Sequence, residues 1–418
     1  MRKVLLFSVL LILGLVGSQL LPRMVENFGP IAFGIRLFTM VGLGFIMIHV
    51  GYEFEVDKKN PGKYAWDYLV AATAAAFPWI FVSFYFVFAM ISREGWGNLD
   101  VWKEILLASR FSSPTSAGVL FSMLAAAGLS ASWVFQKARV LAIFDDLDTV
   151  LLLIPLQIWM TGFRWQLMVI LVIVTVLLWG AWRFLHEKAI PVSWPWVLGY
   201  SVAMTAAIEV FYSFTKIIDP TFPIHIEILL PAFALGCIMA RPATAADPHS
   251  DDAVEGHQEG PVEESEQRVS TIIAACFMAA VGLSMPVFIG EPGDKELHPA
   301  IEGAVAHLTP DIGWGMVAFH VLMVTVLSNV GKMFPSFCYR SEAPLRERIA
   351  LGVGMWPRGE VGAGVLVLSL SYGINGPVML VAMLCLAVNL LCTGVFIAII
   401  KRLIAVPESP ADQALASS

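Results

Sequence analysis

Apolar runs of roughly twenty residues recur along the chain between short polar turns, and each is long enough to cross a bilayer as a helix. The pattern predicts twelve such segments, at 4–21, 31–52, 65–90, 101–129, 134–160, 166–185, 196–214, 223–240, 270–289, 313–337, 349–372 and 376–400. Two are interrupted. Segment 101–129 is broken near 112–118 by Ser112, Ser113, Pro114, Thr115, Ser116 and Gly118, and segment 349–372 is broken by Pro357, Arg358, Gly359 and Glu360. A helix broken inside a membrane frees backbone groups that lipid cannot satisfy, so each break must line a cavity or be buried in protein. The breaks occupy corresponding places in two halves running in opposite senses. One half reads spanning, broken, spanning with Asp145 and Asp146; the other reads spanning with Lys332, broken, spanning. That order predicts an all-α polytopic membrane protein with inverted repeats and two crossed broken helices around a midplane site.

Composition excludes a soluble globule, since 58% of residues are hydrophobic and only 14% charged. The net charge of -7 arises largely in one acidic run and in turns, and gives no indication of nucleic acid. The acidic run, 242–268, is rich in Asp, Glu, Pro and Gly and reads as a disordered cytoplasmic linker in which His249 and His257 are solvated. A second acidic, partly helical loop is expected up to Asp311, and residues 402–418 read as a disordered tail. Cys237, Cys276, Cys338, Cys385 and Cys392 lie far apart without CxxC spacing, so they read as packing residues. The first segment has the basic start and small residues of a signal peptide, but is read as a retained helix. With the amino terminus inside, the inner loops collect Lys58, Lys59, Lys63, Lys137, Arg139, Arg183, Lys188, Arg340, Arg346, Arg348, Lys401 and Arg402. The balance is about sixteen cations inside against about six outside, which places both termini in the cytoplasm of a cell inner-membrane protein.

The candidate chemistry centres on Asp145, Asp146 and Asp148, three carboxylates in four positions of an apolar segment. Charges there are costly and point to function. Asp145 and Asp148 share a helical face and Asp146 is rotated by roughly 100°. Adjacent carboxylates hinder each other's ionisation, which suits protons and small cations. Asp146 is the expected direct ligand of a small cation. Ser113, Thr115 and Ser116 offer neutral oxygens beside it, or serve as ordinary caps of the half-helices. Lys332 either snorkels outward or pairs with Asp145; the need of several buried acids for countercharge favours the pair. Arg36, Arg110 and Arg358 are the other basic candidates. Arg358 and Glu360 at the second break form a structural charge pair or take part in transport, and Asp148 is a third ligand, the partner of Arg110 or a cavity-lining acid. Glu209 and Glu227 line an entry funnel or belong to a surface. An intramembrane protease would place catalytic acids on facing helices, whereas Asp145 and Asp146 share one; His225 and His320 have no evident nucleophile. No enzyme and no resident cofactor are therefore expected.

Gly51-Tyr52-Glu53, Ser113-Pro114-Thr115-Ser116, Asp145-Asp146, Lys332 and Gly354-Met355-Trp356-Pro357-Arg358-Gly359-Glu360-Val361 follow one another across nearly the whole chain. In this order they resemble the bacterial sodium/proton antiporters of the monovalent cation:proton antiporter superfamily. The resemblance implies an ion-translocating core at 63–160 and 312–401, dimer and scaffold helices at 1–62 and 190–290, a connecting helix at 161–189, and a homodimer. It implies that Asp146 binds the cation while Asp145 pairs with Lys332 and exchanges a proton. A double Asp with that lysine goes with electrogenic exchange of two protons for one sodium ion. The departures are Asp148, where relatives usually carry an apolar or small residue, and Arg110, in a helix normally uncharged before its break. A potassium/proton exchanger of the same superfamily is the nearest alternative; the chain's end soon after Arg402, without a large nucleotide-binding domain, weighs against it.

Overall fold

The computed structural model describes residues 2–25, 27–54, 61–219, 224, 226–240, 264–287, 305, 308–310 and 312–405. Among the described residues all regular elements are helical, and one isolated bridge joins Lys188 to Met239. The apolar runs become α1 (Arg2–Met24), α2 (Gly29–Tyr52), α3 (Pro61–Tyr85), α4 (Leu99–Ser109), α5 (Ala117–Ala126), α6 (Trp133–Thr161), α7 (Trp165–Arg183) and α8 (Trp194–Ile218). There follow α9 (Leu229–Ile238), α10 (Glu264–Leu283), α11 (Trp314–Gly331), α12 (Pro335–Cys338), α13 (Leu345–Gly354), α14 (Glu360–Ser371) and α15 (Pro377–Ile404). Counting α4 with α5, α11 with α12 and α13 with α14, these are the twelve expected segments.

Three boundaries differ from the pattern. The segment expected at 223–240 is helical only over Leu229–Ile238, because Pro231 has no amide to donate and is tolerated in a first turn but not deeper. The acidic stretch expected to run as a linker to 268 turns helical at Glu264, the first residue of α10. Residues 242–263, with His249 and His257, lie outside the described residues, as do His225, Asp311, the loop at 288–304 and the tail from 406. At the other end α15 continues to Ile404, with Lys401 and Arg402 in its last turn where cations suit the carboxyl end.

The helices group into two units. The larger comprises Met1–Arg36, Asp57–Trp165 and Met278–Ser418, the smaller Leu37–Val56 and Gln166–Phe277. In the larger unit α3 packs against α6 and α11, α13 packs against α6 and α15, and α1 lies along α15. α1 belongs to the larger unit, where it buries Val4, Phe7, Leu11 and Leu15 and its Gln19 donates to the Pro286 carbonyl at 3.1 Å. Where α11 meets α3 the backbones touch. A Cβ on Gly331 would lie 2.6 Å from the Pro78 nitrogen, so glycine there fixes how closely the helix end bearing Lys332 approaches α3. Hydroxyls inside these helices bond back to their own carbonyls, as Thr149 does to Asp145 and Thr325 to Val321, and so cost little in an apolar setting. In the smaller unit His186, at φ 55°, sets both ring nitrogens 2.9 Å from the carbonyl oxygens of Phe54 and Met239, and Gln166 donates to Asp219 at 2.7 Å.

Candidate ion-binding site

In the first broken helix α4 tightens into a 3-10 turn, Arg110–Ser112, then runs without helical pairing until Ser116 caps α5. In the second, α13 stops at Gly354 and α14 resumes at Glu360. The two breaks are bonded to each other. The Ser116 amide donates to the Pro357 carbonyl at 2.9 Å, the Thr115 hydroxyl to the Met355 carbonyl at 3.1 Å, and the Ser116 hydroxyl to Glu360 Oε2 at 2.6 Å. Gly359 makes room for this contact, since a Cβ there would stand 2.9 Å from Ser116 Oγ.

Arg358 completes the crossing. Its buried guanidinium donates to the carbonyls of Ser112 at 2.9 Å, Ser328 at 3.1 Å and Trp356 at 2.9 Å, and to Asn329 Oδ1 at 2.9 Å. The freed carbonyls thus receive a donor that lipid cannot supply. Of the two roles open for Arg358 and Glu360, neither partner choice is the other: Arg358 binds neutral oxygens, and Glu360 accepts from Ser116.

Beside this crossing α6 presents its aspartates, all buried. Asp145 Oδ2 accepts from the Thr115 amide at 2.8 Å and from Lys332 Nζ at 2.6 Å. Lys332 is the C-cap of α11, and neither it nor Asp145 has any exposed surface. Asp146, the neighbouring acid, is buried as well, both its carboxylate oxygens included, and its charge acts on Lys332 too. Asp148 Oδ2 lies 3.1 Å from Arg110, whose other nitrogen donates to Ser113 Oγ at 2.9 Å. Ser113 also donates to the Ala75 carbonyl, so its oxygen is committed to the protein rather than turned to Asp145 or Asp146.

Other candidates lie elsewhere. Arg36 sits over the Phe33 ring, Glu209 and Glu227 belong to the smaller unit, and His320 is hydrogen-bonded to the Tyr85 hydroxyl at 2.8 Å. Sequence reasoning missed a second buried charge cluster. Lys137 reaches Asp67 at 3.1 Å and Glu342 at 2.8 Å and lies over the Tyr339 ring, whose hydroxyl donates to Asp67 at 2.8 Å. Burial, then the Asp67 carboxylate, push the Tyr339 phenol up from its ordinary pKa. Sequence position alone groups Lys137 with the inner-loop cations. The available signal was Asp67 itself, an acid inside an apolar segment.

Comparison with known proteins agrees at the level of the backbone. The sequence matches no protein-family model and no curated protein. The structure is similar to that of the sodium proton antiporter MjNhaP1 from Methanocaldococcus jannaschii, with a TM-score of 0.54 over 94% of this chain and 92% of that one. The chain has a sodium/proton antiporter fold. At 12% identity the likeness concerns the path of the helices. In that fold the site offers hard oxygen donors, the Asp145 and Asp146 carboxylates and the hydroxyls and carbonyls of the breaks, of the kind that suits an alkali cation rather than a soft metal.

Proposed function

We propose that the protein is a secondary active transporter exchanging sodium ions for protons by alternating access. The observation that carries this reading is the buried Lys332–Asp145 ion pair beside Asp146, at the contact of two broken helices. Asp146 holds the sodium ion, with Thr115 and Ser116 as neighbouring oxygens, and a proton on Asp146 displaces it. A second proton is exchanged within the Asp145–Lys332 pair. Two protons against one sodium ion move one net charge per cycle, so exchange is electrogenic. Proton and cation compete for the same carboxylate, so one gradient drives the other without a second site. The larger unit carries the translocation path and the smaller one forms the scaffold of a homodimer, in a cell inner membrane with both termini cytoplasmic.

The test is proton movement in sealed liposomes after external sodium, lithium or potassium is added at matched ionic strength, with an imposed or clamped potential. Sodium should drive proton movement that the potential accelerates, and Asp146→Asn should abolish it while the protein stays folded. A response to potassium alone would replace the sodium reading with potassium exchange. Normal exchange by Asp146→Asn would remove the assignment of the site.

A further inference from the structure

Arg110 and Asp148 are not used by this exchange scheme, yet they are placed against it. Arg110 is fully buried in the 3-10 turn that opens the first break. Its guanidinium donates to the Asp148 carboxylate at 3.1 Å and to the Asp148 backbone carbonyl at 3.0 Å, and lies 4.9 Å from the Trp79 ring centroid. Five residues on, the Thr115 amide holds Asp145. Asp145 and Asp148 stand one turn apart on α6, on the same face. The unwound segment therefore grips both carboxylates of that face, Asp145 through a neutral amide and Asp148 through a cation.

Stability alone does not call for such a pair, because replacing both members of a buried ion pair with neutral groups is often harmless. Its charge does have a consequence. Counted as ionised, Asp145, Asp146, Asp148 and Glu360 on α6 and at the second break carry four negative charges against the three positive ones of Lys332, Arg110 and Arg358, leaving one negative charge for a monovalent cation or a proton to neutralise. Without Arg110 there would be two, and Asp148 would become a further carboxylate on the Asp145 face. Several carboxylates on a hard-oxygen site favour a divalent ion such as calcium. As built, no group of three acids converges to hold a metal among the described residues.

We propose that Arg110 determines specificity: by holding Asp148 in an internal ion pair, it restricts the Asp145–Asp146 site to monovalent cations. The proposal rests on the cation/proton reading above. Its test uses the full-length protein, with thermal stability of the purified protein and sodium-driven proton movement in liposomes both read with and without calcium chloride, from neutral to alkaline pH. Wild type should be indifferent to calcium at matched ionic strength. Arg110→Gln should be stabilised by calcium, and its proton movement inhibited by calcium at a concentration at least about tenfold below any effect on wild type. Arg110→Lys, which keeps the charge, and Arg110→Gln with Asp148→Asn, which removes both, should respond to monovalent ions only. Asp148→Asn alone gives an independent reading should Arg110→Gln not fold. It leaves the pocket one charge short, so the sodium requirement should rise about tenfold and fall again in the double variant. Calcium indifference of folded Arg110→Gln across the pH range, calcium binding by the double variant, or an unchanged sodium requirement in Asp148→Asn would each overturn the proposal. A wild type inert to every monovalent cation would overturn the transport reading and the proposal together; an active wild type with any of those variant results would overturn the proposal alone.

Discussion

Lys332 is the residue on which the site's charge balance turns. It reaches Asp145 from the end of another helix, and with the Thr115 amide it holds the same carboxylate oxygen. Breaking a buried pair by removing one partner costs about 3–5 kcal/mol, because the other charge stays buried. Lys332→Gln should therefore lower the melting temperature, and sodium should recover more of the loss than it adds to wild type, since the cation takes the place of the ammonium. A thermal melt with and without sodium checks this; an unchanged melt, or one blind to sodium, would contradict it. Asp145, Asp146 and Lys332 were legible in the sequence because a charge in an apolar helix stands out. Lys137 was not: it lies near the start of α6, where a cation reads as part of an inner loop, and only the folded chain brings Asp67 and Glu342 to it.

The two broken helices are the elements that make the site, and their existence was readable from Ser-Pro-Thr-Ser and Pro-Arg-Gly-Glu. What occupies the freed backbone groups was not readable. Arg358 had an acid two residues away, which made a local charge pair plausible, but its guanidinium is drawn to carbonyls across the crossing. Those contacts depend on partners more than two hundred residues distant or on another helix, and local spacing carries no trace of them. The crossing also depends on Gly359. The Ser116 hydroxyl beside it is held by Glu360, so it cannot swing aside for a methyl group without losing that bond. Gly359→Ala should cost about 1–3 kcal/mol through overpacking and slow transport. Denaturation and transport measured on the same preparation would show it, and wild-type values in both would contradict the tight crossing.

For the whole molecule, hydropathy alone predicted a membrane protein and the order of its segments. Inverted order of spanning and broken helices predicted the fold, which the likeness to the antiporter from Methanocaldococcus jannaschii confirms for the backbone. The division into units was less legible, because apolar periodicity says that a helix is buried without saying against what: α1 shares its unit with α15, at the other end of the chain. The central claim is that proton and sodium compete for one carboxylate in this fold. The most direct measurement is the sodium concentration giving half-maximal transport in liposomes as a function of pH. Competition at Asp146 requires that concentration to rise about tenfold for each unit of acidification below the point where the carboxylate takes up its proton, and to level off above it. A half-maximal sodium concentration that stays constant across the pH range would mean that the two ions do not share the site, and would contradict the account.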